Sequence, residues 1–435
     1  MEEASPSPSP SLSPQRFSKR ILVTGGAGFI GSHLVIHLVK QYPQYYVVNL
    51  DSLDYCASIR NVHTALDATP PVSSPADTPS ADGFDDGGAD DGDDALGERL
   101  RGSFCEWDDA GSAADAATGS DVPSRRRHSS VSSPPLPPNY KFIKGSILCA
   151  DLVEYVLQTE QIDTVIHLAA QSHVDLSFGN SLAFSQTNIL GTHVLLEAAR
   201  IHGRLERFIH VSTDEVYGEG DADTVAMDEE HVLEPTNPYA ATKAGAEFLV
   251  KAYHRSFRLP TIITRSNNVY GPHQYPEKLI PKFINQLLRD RPVTIHGDGS
   301  HSRNYLFISD VVDAFDVILH RGTIGEVYNI GGTNEVTNER VANALLGILK
   351  PRLSASEAQR RYIQYVRDRP FNDQRYTIDA SKIRALGWRE NVSWTDGLCR
   401  TVKWWMRYGH RFPDIEHALA PHPKAFKKTY NVPHV

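Results

Sequence analysis

Arg20-Ile-Leu-Val-Thr-Gly25-Gly-Ala-Gly28-Phe-Ile-Gly31-Ser-His-Leu-Val-Ile-His-Leu-Val39 runs an apolar strand pattern into a glycine turn and then into an apolar helix pattern. Glycines recur at 25, 28 and 31. A turn of this kind needs backbone without Cβ, and it brings amides at a helix N-terminus close to a diphosphate. A second apolar run, Val47-Val-Asn-Leu-Asp51, ends in an acid twenty positions past Gly31. An acid there is suited to accept hydrogen bonds from both adenosine ribose hydroxyls and disfavours a 2′-phosphate, so NAD is expected rather than NADP. The competing reading is a glycine turn kept for packing. The strand before it, the helix after it and the spaced acid weigh against that reading together.

This opening predicts an α/β fold, a Rossmann doubly wound parallel sheet, and the rest of the chain is consistent with it. Residues 1–18 are Ser/Pro-rich and read as a disordered arm. Residues 64–138 carry Ser-Pro and Pro-Pro pairs, an acidic glycine run, Arg125-Arg-Arg-His-Ser-Ser130 and a proline cluster. Such a stretch buries too little apolar surface to offset its ordering entropy, so a disordered insertion is expected. Arg125 to Ser130 is a candidate kinase or docking site, with plain spacer as the alternative. Strand patterns resume at Tyr140-Lys-Phe-Ile and Thr164-Val-Ile-His-Leu-Ala-Ala170, and a long helix is expected over Ser181 to His202. The expected division is a dinucleotide-binding domain over 19–265, a smaller and interleaved substrate lobe over 266–410, and a tail over 411–435.

Ile209-His-Val-Ser-Thr-Asp-Glu-Val-Tyr-Gly218 places a hydroxyl and two carboxylates, Thr213, Asp214 and Glu215, at the end of a buried strand. Ligands of open α/β sheets bind beyond the carboxyl ends of their strands. Two carboxylates there can divide acid and base roles if their surroundings separate their pKa values. An acid pair on a solvated loop is the alternative. Tyr239 and Lys243 stand four apart in a helix pattern and share a face. An ammonium near the phenol is expected to lower its pKa, so that the phenolate acts as a base on a hydroxyl. Further on, Asn267-Asn268, Lys278 and Arg303 lie at element ends, and Arg367, Arg369 and Arg375 share a polar loop. Trp404 and Trp405 lie in a helix pattern and are read as core packing.

The net charge of -9 argues against a nucleic-acid partner. No run of about 18 apolar residues exists, so no membrane partner is expected. The four cysteines form no CxxC pair. They suggest free thiols in a reducing, cytoplasmic setting and no metal site.

Thr24-Gly-Gly-Ala-Gly-Phe-Ile-Gly31, His167-Leu-Ala-Ala-Gln-Ser-His-Val-Asp175, Ser212-Thr-Asp-Glu-Val-Tyr-Gly218, Tyr239-x-x-x-Lys243 and Asn267-Asn-Val-Tyr-Gly-Pro-His-Gln-Tyr-Pro-Glu-Lys278 together resemble the nucleotide-sugar 4,6-dehydratases. These belong to the extended short-chain dehydrogenase/reductase superfamily, and the eukaryotic dTDP-glucose and UDP-glucose branch is the one most resembled. The resemblance covers residues 19 to about 408 apart from the insertion. It implies transient C4 oxidation by bound NAD, elimination of water across C5–C6, and reduction at C6. Tyr239 with Lys243 would take the 4-hydroxyl proton, and Thr213 would hold that hydroxyl. Glu215 would remove the C5 proton while a protonated Asp214 serves the leaving 6-hydroxyl.

The same resemblance implies an NAD site of Gly25, Gly28, Phe29, Ile30 and Gly31, then Asp51, Leu53 and Asp54. It continues through Ser146, Ile147, Leu168, Ala169, Ala170, Gln171 and Thr187. Substrate contacts are expected from Ser172, Asn268, Lys278, Arg303 and Arg369, and relatives suggest a homodimer through the helices near 181–202 and 238–257. Two positions depart from the pattern. Ser146 replaces the usual aspartate at the adenine pocket, which predicts weaker NAD retention. Val269 stands where bacterial relatives carry a second asparagine, which leaves dTDP against UDP open. Rhamnose formation is one downstream use suggested. The alternatives are a 4-epimerase or decarboxylase of the superfamily and a non-enzymatic NAD-binding regulator. An epimerase has no use for an acid/base pair at C5 and C6.

Overall fold

The structure, a computed structural model, describes residues 17–66, 136–220, 226–367, 377–412 and 414–419. Nearly all of the expected arm and insertion, the Arg369 loop and the last residues of the tail lie outside them. The helix Arg60–Leu66 runs into what was expected as the start of the insertion, because Val62 and Leu66 are buried against the core.

Twelve strands occur among the described residues. They are β1 (Lys19–Thr24), β2 (Tyr45–Asp51), β3 (Tyr140–Lys144), β4 (Thr164–His167), β5 (Arg207–Thr213) and β6 (Thr261–Ser266). They continue as β7 (Asn268–Tyr270), β8 (Val293–His296), β9 (Ser302–Phe307), β10 (Val327–Ile330), β11 (Glu335–Thr337) and β12 (Ile363–Val366). Seven form one sheet in the order β10-β6-β5-β4-β1-β2-β3, with every pairing parallel. A parallel sheet is covered on both faces, so its strands read as continuous apolar runs. β1 shows this residue by residue. Ile21 and Val23 join one core cluster and Leu22 joins the other. The order reverses at β1 and β4, the switch point where a ligand crevice forms in such sheets.

The chain leaves this sheet after β6, builds the lobe, and returns to pair β10 with β6. The lobe carries the small sheets β11-β9-β7 and β12-β8. Its helix Leu279–Leu288 and the helix Trp394–Tyr408 pack into the first core cluster through Phe283, Leu287 and Trp405. Trp405 is fully buried and Trp404 packs partly buried against the same core, as expected.

The expected long helix at 181–202 is interrupted. Ser181–Phe184 and Gly191–His202 are α-helical, while Ser185–Leu190 between them is a π-turn. A π-turn inserts one residue into the helical repeat, which apolar periodicity does not reveal. Thr187, an expected NAD contact, lies in it.

The helix Pro238–Phe257 starts as a capped helix should. Asn237 Oδ1 accepts from Ala240 N, and Pro238 holds the first position, where its missing N–H is not needed. Under it, fully buried Arg265 on β6 makes a bidentate pair with fully buried Glu247. Arg265 also donates to Tyr217 Oη at 2.7 Å, tying β6 and the helix to the turn Asp214–Tyr217.

Candidate active site

A cleft of about 600 Å³ opens at the carboxyl ends of β1, β2, β4 and β5. Every residue expected in the site lines it except Leu53, Asp214 and Arg369. Leu53 takes a left-handed backbone, φ 57°, to give its amide to Asp51 Oδ1, and lies outside the lining. Asp214 is 2% exposed and stands just behind the wall formed by Thr213 and Glu215. Arg369 lies outside the described residues.

The glycine arm fits a dinucleotide. A Cβ on Gly31 would fall 2.2 Å from the Gly25 carbonyl oxygen, and one on Gly25, with φ +72°, would fall 2.7 Å from Ala169 N. The turn is therefore as tight as backbone allows, and no side chain caps the first turn of the helix Phe29–Gln41. That leaves this helix end suited to an anion. Asp51 is buried, and its two oxygens are positioned by Ala27 N (2.9 Å) and Leu53 N (2.7 Å). Each oxygen keeps a lone pair for a ribose hydroxyl. Ser146 Oγ accepts from Leu148 N at 3.2 Å and retains its proton for a ligand. Gln171 bridges to Asp54, Nε2 to Oδ2 at 2.7 Å.

The reactive wall is built from three elements. β5 ends at Thr213, whose hydroxyl accepts from Glu215 N (3.3 Å), donates to Asp214 Oδ1 (3.2 Å) and neighbours the Tyr239 phenol closely enough to favour its ionised form. Burial, and then the neighbouring Glu215 charge, push the Asp214 carboxyl up to about 7. Asn267 Nδ2 donates to Asp214 Oδ2 at 2.7 Å, and Gly332 N donates to Asn267 Oδ1 at 3.0 Å, which fixes the amide's orientation. Glu215 Oε2 accepts from Asn237 Nδ2 at 3.1 Å.

One expectation is corrected here. The Tyr239 phenol does not stand below its ordinary value, despite Lys243 four residues on. The Lys243 ammonium is buried and donates to the Val211 carbonyl at 2.6 Å. The phenol is pushed well above its ordinary value by burial and by the Glu215 and Asp214 charges. Burial in turn holds the Lys243 ammonium down to about 8.

On the lobe side, Lys278 Nζ donates to the Ser172 carbonyl at 2.8 Å, bringing two expected substrate residues together. Asn268 and Arg303 face the same space. Tyr55 Oη donates to Glu277 Oε1 and Oε2 at 3.0 and 3.2 Å, joining the loop after β2 to the lobe across the cleft. Asn237, Asn267, Tyr55 and Glu277 also line the cleft but escaped the sequence reading. Asn267 and Glu277 sit inside quoted motifs, and Asn237 sits at a recognisable helix cap. Position alone did not mark them as site residues.

Comparison with known proteins places this geometry. The GDP-mannose 4,6 dehydratase family matches residues 118–401, and the NAD dependent epimerase/dehydratase family matches residues 21–75. The chain is 45% identical over 407 residues to a trifunctional UDP-glucose 4,6-dehydratase/UDP-4-keto-6-deoxy-D-glucose 3,5-epimerase/UDP-4-keto-L-rhamnose-reductase of Arabidopsis thaliana. That match covers 93% of this chain, which spans about half (50%) of the relative's length. It is 41% identical over 410 residues to the dTDP-D-glucose 4,6-dehydratase of Homo sapiens, covering 94% of this chain and 96% of that one. A crystal structure of a dTDP-glucose 4,6-dehydratase from Streptomyces venezuelae with NAD bound is 34% identical, with a TM-score of 0.69. It covers 91% of this chain and 99% of that chain. The chain therefore belongs to the GDP-mannose 4,6 dehydratase family.

Proposed function

We propose that this chain is a nucleotide-sugar 4,6-dehydratase. It converts dTDP-glucose or UDP-glucose to the 4-keto-6-deoxy sugar nucleotide and water, with NAD in the glycine arm. The observation that carries this reading is the pair Asp214 and Glu215 beside Tyr239 at the end of β5. Each carboxylate is held by its own asparagine. An epimerase needs no such pair. Bound NAD supplies a reversible two-electron oxidation at C4 and reduction at C6.

The residues divide the remaining work. Tyr239 takes the 4-hydroxyl proton within reach of Thr213. Lys243, anchored on Val211, keeps a cation behind the phenol. A 4-ketone acidifies C5–H, and Glu215, aimed by Asn237, removes that proton. Asp214, whose carboxyl burial keeps protonatable near neutral pH, protonates the departing 6-hydroxyl. Lys278 and Arg303 bring positive charge to the substrate end, and we assign Arg369 the same task.

Residues 19–265 form the dinucleotide-binding domain in this reading and 266–410 the substrate lobe. A homodimer is supported by exposed apolar side chains on two neighbouring helical segments: Leu182, Leu190 and Ile201 on one, Phe248 and Phe257 on the other. No described helix is long and apolar enough to cross a membrane, and Cys56 and Cys149 are free thiols. Free thiols suit a reducing, cytoplasmic setting, and the net charge of -9 speaks against a nucleic-acid partner.

The test is separate incubation with UDP-glucose and dTDP-glucose without added NAD, read by mass spectrometry. Loss of one water from either names the reaction and the preferred nucleotide. No loss from either, even with NAD supplied, removes this reading.

A further inference from the structure

The reaction above leaves a proton to account for. Glu215 takes the C5 proton and returns it to C5 after reduction at C6, so it ends as it began. Tyr239 gains the 4-hydroxyl proton, while Asp214 loses one to the departing hydroxide. Each turnover would therefore strand a proton on the phenol and leave the acid discharged.

Thr213 stands between the two. Its hydroxyl has one donor and two acceptor positions. Glu215 N–H fills one acceptor position, Asp214 Oδ1 takes the donor, and the Tyr239 phenol neighbours the acceptor position that remains. Tyr239 can thus donate to Thr213 while Thr213 donates to Asp214. After a shift of two protons the same contacts persist with reversed polarity. Asn267, locked by Gly332 N, already donates to Asp214 Oδ2. A proton arriving on Asp214 therefore belongs on Oδ1, the oxygen facing Thr213. Asp214, Thr213 and Tyr239 are 2%, 8% and 9% exposed, so exchange with bulk water is restricted.

We propose that Thr213 is a proton relay that charges the acid with the proton removed at C4. As the 4-hydroxyl O–H bond breaks toward Tyr239, the phenolic proton moves to Thr213 Oγ and the Thr213 proton moves to Asp214 Oδ1. That proton then leaves with the 6-hydroxyl as water, and no proton is drawn from solvent. The starting state is a protonated phenol and an ionised Asp214. A phenol held above its ordinary value agrees with the first of these.

This inference rests on the dehydratase reading, and the experiment separates the two. Holoenzyme is assayed across pH with the accepted nucleotide-glucose and with its 6-deoxy-6-fluoro analogue, in wild type, Thr213→Val and Thr213→Ser. Fluoride leaves without a proton, so the analogue does not need a protonated Asp214. In Thr213→Val the analogue's rate should climb about tenfold per pH unit as the phenol ionises directly to solvent. The nucleotide-glucose rate should stay ~10²-fold or more below wild type at every pH, because alkali that frees Tyr239 also discharges Asp214. Thr213→Ser keeps the hydroxyl and should stay within ~10-fold of wild type on both. Equal losses on both substrates at all pH values, or a serine variant as impaired as valine, overturn the relay alone. A wild-type chain that acts on neither substrate overturns the reaction and the relay with it.

Discussion

Asn237 ties the start of a helix to the reactive turn. Its Nδ2 donates to Glu215 Oε2 at 3.1 Å, while its Oδ1 accepts from Ala240 N at 2.8 Å. The two jobs can be separated. Serine caps helices about as well as asparagine but is too short to hold Glu215. Asn237→Ser should keep the melting temperature near wild type and lower kcat by ~10- to 100-fold, the scale of a misplaced catalytic group. Asn237→Ala should lose the same kcat and about 1 kcal/mol of stability as well. An unchanged kcat in the serine variant would show that Glu215 needs no such hold.

Asp214 should oppose folding at alkaline pH. Its carboxyl rises from 3.8 in the unfolded chain to about 7 in the fold, so the folded state binds the proton more tightly. Stability therefore falls as pH rises through the window from about 4 to about 7. Asp214→Asn removes that slope. Chemical denaturation at pH 8 should find the variant more stable by about 1 kcal/mol, though inactive. A variant less stable at pH 8 than wild type would contradict this.

The paired histidines contribute to the acid limit, beside buried His167 and His210. His33 donates toward the Pro272 carbonyl, Ser32 Oγ bonds His273 Nδ1, and the rings lie 4.5 Å apart. Burial lowers His33 from 6.5 to about 4 and His273 to about 2. The unfolded chain binds protons first, so stability falls as pH drops below about 6.5 and keeps falling toward about 4. His273 has φ 69°, a conformation asparagine tolerates. His273→Asn should flatten the fall of the urea midpoint between pH 6.5 and 5, and an unaltered slope would assign the effect to other groups.

The buried pair Arg265–Glu247 should behave asymmetrically. Arg265→Met leaves Glu247 buried without a partner and should cost ~3–5 kcal/mol. Glu247→Met combined with Arg265→Met should cost less than Arg265→Met alone, because no charge is stranded. A double-mutant cycle by denaturation decides it, and additive losses would deny the coupling.

Tyr55 bears on how long the cofactor stays. Its hydroxyl bridges to Glu277 across the cleft. One hydrogen bond is worth about 1 kcal/mol, roughly fivefold in a rate. Tyr55→Phe should release NAD about fivefold faster on dilution, measured with an excess of competing dinucleotide. Equal release rates would show that the bridge does not restrain the cofactor.

What the sequence made legible were features with a local signature. The glycine spacing, the acid at 51, the alternating strand and helix patterns and the Thr213 to Glu215 triplet all sit within short windows. What it hid were contacts between distant positions. Asn267 reaches Asp214 over 53 residues and Asn237 reaches Glu215 over 22. No periodicity marks either asparagine. Tyr239 was misjudged for a related reason. Four-residue spacing puts Lys243 on its face, but burial and the Glu215 and Asp214 charges, more than twenty residues away in sequence, raise the phenol. The π-turn at Ser185–Leu190 buries only Asn188, so no apolar pattern marks the break.

The return of the chain to the main sheet as β10 also bears on its synthesis. The sheet's outermost strand on that side is made only after the lobe's β7, β8 and β9. Until then β6 presents an unpaired row of backbone groups, the kind of edge that recruits foreign strands. A fragment ending near residue 266 would keep that edge permanently, so the lobe doubles as the delivery vehicle for the strand that seals its neighbour.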